Sequence, residues 1–208
     1  MNIRQILASS PVMPVLVIED LSQAIPLAQA LCDGGIRVLE VALRTPCAME
    51  AIRLISRTIP EALVGAGTVL QPEQFFQVQE TGARFAVSPG FDPHLCHTAK
   101  ALQFPYLPGV FTPSECMAAA KLGFDTLKLY PAREAGACNM LRALAGPLPD
   151  LQFCPSGGVD GISASDYLQL DNVICVSGSW LNPSSLFSKQ DWQAIQNNTR
   201  LAAQLNQQ

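Results

Sequence analysis

Eight short runs rich in β-branched and aromatic residues recur along this chain, each separated from the next by a stretch with apolar residues at helical spacing. The runs are VMPVLVI from Val12, RVLEVAL from Arg37, ALVGAG from Ala62, RFAVSP from Arg84, FPYLPG from Phe104, DTLKLYP from Asp125, LQFCPSGG from Leu151 and VICVSGS from Val173. The stretches between them, such as SQAIPLAQALCDGG, CAMEAIRLISRTIP, PEQFFQVQETGA and PSECMAAAKLGF, end mostly in Gly or Pro, as helices do. Parallel strands cannot be joined by a tight turn, so this alternation demands helical crossovers and a parallel sheet. Eight repeats in 208 residues close naturally into a (β/α)8 TIM barrel, at the short end of that fold's size. No linker divides the chain, and the expectation is a single α/β barrel domain over residues 1–208. An open doubly wound sheet is the alternative, but the first strand-to-helix turn carries no G-x-G-x-x-G fingerprint.

Such a fold needs a large apolar core, and 49% hydrophobic against 14% charged residues provides it. The terminal LNQQ is expected to fray. A net charge of −4 with no block of Lys or Arg leaves no electrostatic footprint for nucleic acid or an anionic membrane. The first residues, MNIRQILASSPV, lack the apolar core of a secretory leader, and no run approaches the roughly 20 apolar residues that span a bilayer. The expected location is the cytoplasm and the expected partner a small molecule. Seven cysteines at unrelated spacings, without a Cys-x-x-Cys pair, read as reduced and mostly packed thiols. His94, Cys96 and His97 in PHLCH are the one clustered set of metal-type ligands. With no third histidine anywhere in the chain, surface helix residues are the simpler reading, and no metal is expected.

In a barrel of this kind, catalytic groups sit at the carboxyl ends of strands and in the loops that follow. The polar residues of this chain gather there. Glu40 and Arg44 fall at or just after the second run, Thr68 follows the third, Ser88 and Pro89 end the fourth, and Lys128 lies within the sixth. SGG at 156–158 and SGS at 177–179 close the last two.

Lys128 interrupts the apolar run FDTLKLYP, where an ammonium is out of place unless it snorkels to water or does chemistry. An amine attacks a carbonyl only when neutral, and apolar surroundings or a nearby positive charge such as Arg44 loosen a lysine's hold on its proton. Glu40 interrupts VLEVAL in the same way and shares a face with Val38 and Ala42. If that face is the interior, the two groups meet, either as a structural ion pair or as nucleophile and proton carrier, titrating together. The planar guanidinium of Arg44 suits a small carboxylate, and Thr68 could add a hydroxyl to the same grip, although a solvated arginine and a helix N-cap are the plain alternatives. The Gly- and Ser-rich ends CPSGGVDG and VSGSW leave amides for an anion such as phosphate, with Ser179 as both N-cap and contact. A carboxylate beside Lys128 and a phosphate at the far end describe a phosphorylated 2-oxo acid.

The ordered segments GGIRVLEVALRT, VGAGTVL, FAVSPGF, PGVFTPSE, LKLYPA, FCPSGGV and SGSWL, spread over nearly the whole chain, resemble the 2-keto-3-deoxy-6-phosphogluconate (KDPG) and 4-hydroxy-2-oxoglutarate (KHG) aldolase family. The resemblance implies a class I lyase without metal or other cofactor, forming a Schiff base on Lys128 with Glu40 as general acid and base. It assigns the pyruvate carboxylate to Arg44 and Thr68, the pyruvyl pocket to Pro89 and Tyr130, and the phosphate end to Gly157, Gly158 and Ser179, with Ser156 near the sugar hydroxyls. It implies a homotrimer of barrels in the Entner-Doudoroff route of carbohydrate metabolism. Ala42 stands where many members have Thr, Ser156 where Thr is usual, Tyr130 where Phe is common, Arg133 where Glu is frequent, and Val17 where some carry Arg. The hydroxyl kept at Ser156 favours the gluconate over the galactonate epimer. The competing readings are an aldolase for that epimer, a metal-dependent aldolase or epimerase, and a phosphate-ligand-binding barrel without turnover.

Overall fold

A computed structural model describes residues 1–205; Asn206, Gln207 and Gln208, the end of the LNQQ segment expected to fray, lie outside the described residues. The described strands are β1 (Val12–Leu16), β2 (Val38–Ala42), β3 (Leu63–Gly67), β4 (Ala86–Val87), β5 (Tyr106–Leu107), β6 (Gly109–Val110), β7 (Thr126–Leu129), β8 (Gln152–Pro155) and β9 (Val176–Gly178). The helices are α1 (Ile3–Leu7), α2 (Ala24–Asp33), α3 (Ala48–Thr58), α4 (Glu73–Glu80), α5 (Pro93–Ala101), α6 (Pro113–Lys121), α7 (Ala137–Ala145), α8 (Ser163–Leu168), α9 (Ser184–Phe187) and α10 (Trp192–Ala203). No described helix is long and apolar enough to cross a membrane.

Helix starts follow capping chemistry. Thr112 accepts from the Glu115 amide while the Glu115 carboxylate accepts from the Thr112 amide at 2.9 Å, which with Pro113 fixes the first turn of α6. Asp92 does the same for α5 by accepting from the His94 and Leu95 amides. Helix α1 was not among the elements expected from periodicity. Its signal is the reciprocal cap between Asn2 and Gln5, too short for a periodic pattern.

All the pairings are parallel, in a six-stranded order β5-β4-β3-β2-β1-β9 and a three-stranded order β6-β7-β8. The result is an α/β fold whose parallel sheet forms a half-barrel. The sheet departs from an unbroken ring of eight strands in two places. The fifth expected run splits at Pro108, which has no N–H for a ladder but whose carbonyl accepts from the Lys128 amide at 2.9 Å. Between β8 and β9 the pairing consists of isolated bridges, Phe153 with Val173 and Ser156 with Ser177.

Strand alternation sorts the core. On β2, Leu39 and Val41 pack among the helices, while Val38 belongs to a smaller cluster on the opposite, inner face. That inner cluster also holds Met13, Phe85, Val87, Leu107, Cys154 and Cys175, and Ile3, Ile6 and Leu7 of α1 pack against it. Residues of the same parity one step further are Glu40 on β2, Lys128 on β7, Ser177 on β9 and Ser156 just past the end of β8, all buried.

Candidate active site

Lys128 on β7 and Glu40 on β2 lie 88 residues apart in sequence and meet on the inner face. Lys128 Nζ donates to Glu40 Oε1 at 3.1 Å and to Oε2 at 3.4 Å, and the residues are only 5% and 2% exposed. A lone ion at such depth would be strongly unfavourable, so each group is what makes the other tolerable there. Space for the carboxylate comes from Gly67 on β3, because a Cβ at that position would stand 2.2 Å from Glu40 Oε1. Ser177 on β9 contributes its hydroxyl, 3.5 Å from Glu40 Oε2. The ammonium also lies 5.5 Å from the centre of the Tyr130 ring.

Beneath this pair, the Sγ atoms of Cys154 and Cys175 are 3.4 Å apart. Their hydrogen bond, burial and the nearby Glu40 carboxylate hold the Cys175 thiol well above its ordinary range, so it stays protonated.

Arg44, exposed just after β2, donates from Nε to Thr68 Oγ1 at 3.3 Å. Thr68 is not the N-cap of α4: that helix starts at Glu73, and the side chain of Gln74 takes the Leu70 and Gln71 amides. Its backbone instead adopts φ +60°, a left-handed conformation that a β-branched residue avoids. Two bonds hold it there, from the Leu43 amide to the Gly67 carbonyl at 2.8 Å and from the Val69 amide to the Val87 carbonyl at 3.0 Å. Such strain persists only where the surrounding structure over-determines it, and here it leaves the hydroxyl turned to Arg44.

The loop after β8 turns through Gly157 and Gly158, at φ +89° and +75°, which side chains rarely adopt. It hangs on the segment after β7 through Ala132 and Arg133 amides bonded to the Ser156 and Gly157 carbonyls at 2.7 and 3.0 Å. Asp160 finishes it. Hydrogen bonds from the Ser163 amide and hydroxyl keep its carboxyl below the ordinary carboxylate range, and Arg133 pairs with it at 3.1 Å. Among the described residues, the amides of Gly158 and Ser179 have no protein acceptor. Ser179 caps no helix, since α9 begins five residues later behind Pro183.

These parts enclose a cavity of about 260 Å³ whose wall includes Arg44, Lys128, Tyr130, Ser156, Gly157, Gly158 and Ser179. Of the other expected residues, Glu40 touches it through Lys128 and Thr68 through Arg44. Pro89 is not on the wall. It backs onto Gly109, where a Cβ would meet its carbonyl carbon at 2.3 Å, and Gly109 is the register partner of Lys128. Val15, Val159 and Gly178 line the cavity without having been singled out, as does Val17, noted only as a place where relatives differ. Ser177 was passed over too; its parity with Cys175 on one short strand was the available signal. A larger hollow of about 490 Å³ lies beside α1, near Arg4, Lys100 and Phe124, and holds neither member of the buried pair. In PHLCH, His94 and His97 are exposed while Cys96 points into the core, its thiol pushed up to about 12 by burial, so the three do not converge.

The chain and its fold have counterparts among known proteins. The profile of the family described as KDPG and KHG aldolase matches residues 3–198. The chain is 46% identical over 197 residues to the KHG/KDPG aldolase of Escherichia coli K12, covering 95% of this chain and 91% of that one. It is 46% identical over 191 residues to the 2-dehydro-3-deoxy-phosphogluconate aldolase of Dickeya dadantii, covering 92% and 90%. Among solved structures, a KDPG aldolase of Legionella pneumophila, with pyruvate captured at low pH as a covalent carbinolamine intermediate, superposes with a TM-score of 0.95 at 42% identity, covering 98% of each chain. The chain belongs to the KDPG and KHG aldolase family.

Proposed function

We propose that this protein is a class I aldolase that cleaves 2-keto-3-deoxy-6-phosphogluconate to pyruvate and glyceraldehyde 3-phosphate, and that it also acts on 4-hydroxy-2-oxoglutarate. The observation that carries the reading is the buried contact of Lys128 Nζ with Glu40 Oε1 at 3.1 Å, at the wall of a cavity that also displays Arg44 and the amides of Gly158 and Ser179. A carbinolamine in a relative of 42% identity is the adduct that such an amine forms with a 2-oxo acid.

In the proposed reaction, the proton of Lys128 passes to Glu40 and the free amine attacks C2 of the substrate. Glu40 protonates the departing hydroxyl, water leaves, and a protonated imine remains on Nζ. Glu40, now a carboxylate, takes the C4 hydroxyl proton. The C3–C4 bond breaks, its electrons flow into the iminium, and the aldehyde departs. The enamine is protonated at C3 and hydrolysed to pyruvate and free lysine. Arg44 and Thr68 hold the carboxylate, Pro89 and Tyr130 bound the pyruvyl end, Ser156 meets the sugar hydroxyls, and Gly157, Gly158 and Ser179 receive the phosphate through backbone amides. The buried hydroxyl of Ser156 on the cavity wall favours the gluconate epimer, and the ratio of kcat/KM for the two epimers checks it.

The same reading takes residues 1–208 as one domain with a closed eight-stranded barrel. It is supported by the bridges from β8 to β9 and by the continuity of the chain through Pro108. It further takes the protein as a cytoplasmic homotrimer, in which assembly would cover exposed Leu70, Phe76, Phe111 and Met117. Sedimentation equilibrium checks the trimer. The chemistry is checked by borohydride added with pyruvate. Activity should be lost irreversibly, with a reduced pyruvyl mass on the peptide containing Lys128 and none in Lys128→Ala. An unmodified Lys128 after full exposure, or activity lost on chelation with EDTA, would refute the Schiff-base reading.

A further inference from the structure

Glu40 is asked to shuttle protons while the group that anchors it changes identity. In the free protein Lys128 donates to both of its oxygens, at 3.1 and 3.4 Å. Once Nζ is part of the imine or the enamine it has only one hydrogen left to donate, where the free ammonium has three. A carboxylate held only by Lys128 would be loosest in the steps where its position matters most.

Ser177 answers this requirement. It is fully buried on β9, its Oγ lies 3.5 Å from Glu40 Oε2, and Glu40 is the one described partner of that hydroxyl. The strand that carries it is fixed from both sides, by the register of Met13 with Ser177 on β1 and by the bridge of Ser156 with Ser177. The Cβ-less Gly67 walls the other oxygen, Oε1. Resting on the Schiff-base reading of the site, we infer that Ser177 is a positioning residue for the general acid and base. Its hydroxyl holds Glu40 Oε2 while Lys128 is covalently occupied, leaving Oε1 as the oxygen that takes and returns protons. Ser177 acts through Glu40 and does not touch the reacting carbons.

The test separates the carboxylate's proton traffic from the extent of imine formation. Exchange of the pyruvate methyl hydrogens into deuterated water, with no aldehyde present, reads proton transfer on the enamine; the yield of borohydride trapping after equilibration with pyruvate reads how much Lys128 stands as imine. Ser177→Ala should lower the exchange rate and kcat about ten-fold, the low end for a hydrogen bond to a charged group, with KM and the equilibrium yield of trapped imine within two-fold of the parent. Ser177→Thr and Ser177→Val add the same volume and differ by the hydroxyl, so Thr should exchange at least five-fold faster than Val. Equal exchange in Ser177→Ala and the parent, or equal exchange in the Thr and Val proteins, would overturn the assignment. If the larger side chains do not fold, the ratio of exchange rate to trapped yield in Ser177→Ala decides alone: a fall in that ratio supports the role, and a common fall in both refutes it. Failure of the parent protein to trap pyruvate at all would instead refute the aldolase reading beneath it.

Discussion

Glycine 67 shows how much of the candidate site depends on what is missing from a residue. Its backbone is in an ordinary region, so Gly67→Ala should fold, yet the new Cβ would stand 2.2 Å from Glu40 Oε1 and must push the carboxylate aside. If Glu40 is the proton carrier proposed above, a displacement near 1 Å lowers turnover by about 100-fold, so kcat of Gly67→Ala should fall on that scale while its thermal transition moves little. Steady-state kinetics beside a melting curve checks both halves. At this scale the sequence was most legible for residues whose chemistry clashes with their setting. Lys128 and Glu40 announce themselves as charges in apolar runs, and parity places them on one face. Ser177 does not, because a serine in a Gly-Ser strand end looks like any loop residue; its meaning comes from a neighbour 137 positions away. The left-handed φ of Thr68 was equally hidden, since strain belongs to the folded backbone and leaves no compositional trace.

Strands bring these residues together, and their spacing is set by close backbone approaches. Gly109 on β6 sits against the end of β4 so tightly that a Cβ would meet Pro89 and Gly90 backbone atoms at 2.3 and 2.4 Å. Neither neighbour can rotate away, as a side chain would. Gly109→Ala should therefore separate the strands at the position that pairs with Lys128, with a loss of about 3 kcal/mol, the upper end for overpacking. For a chain of this size that lowers Tm by about 6–12 °C, measurable by calorimetry. Periodicity located the strands well because β-rich runs bounded by Gly and Pro are a local property. Where it missed, the cause was also local: Pro108 divides one run into β5 and β6, and the five residues of α1 are too few to show a period.

Across the whole molecule, the burial that builds the core also sets the reactivity of three of the seven thiols. Burial pushes Cys32 and Cys116 up to about 11 and Cys96 to about 12. Because these values are raised, the groups remain neutral thiols throughout the neutral range and ionise only in strong alkali. Iodoacetamide at pH 7.5 should leave these three cysteines unlabelled in the folded protein, and all seven should react after unfolding in guanidinium; peptide mass spectrometry distinguishes the two. Reduced, packed thiols were readable from scattered spacing alone, whereas the meeting of Cys154 with Cys175 needed the sheet order.

The same sheet order gives α1 a consequence beyond stability. Among the described residues, Ile3, Ile6 and Leu7 pack into the apolar inner cluster with Met13, Val38 and Phe85 and none of them lines the cavity, so in the proposed reaction substrate, aldehyde and hydrolytic water share the side of Arg44 and Ser179. Traffic through a shared side has a fixed sequence in the proposed reaction. The phosphorylated aldehyde must vacate before water can reach the imine carbon, which makes pyruvate the last product to leave.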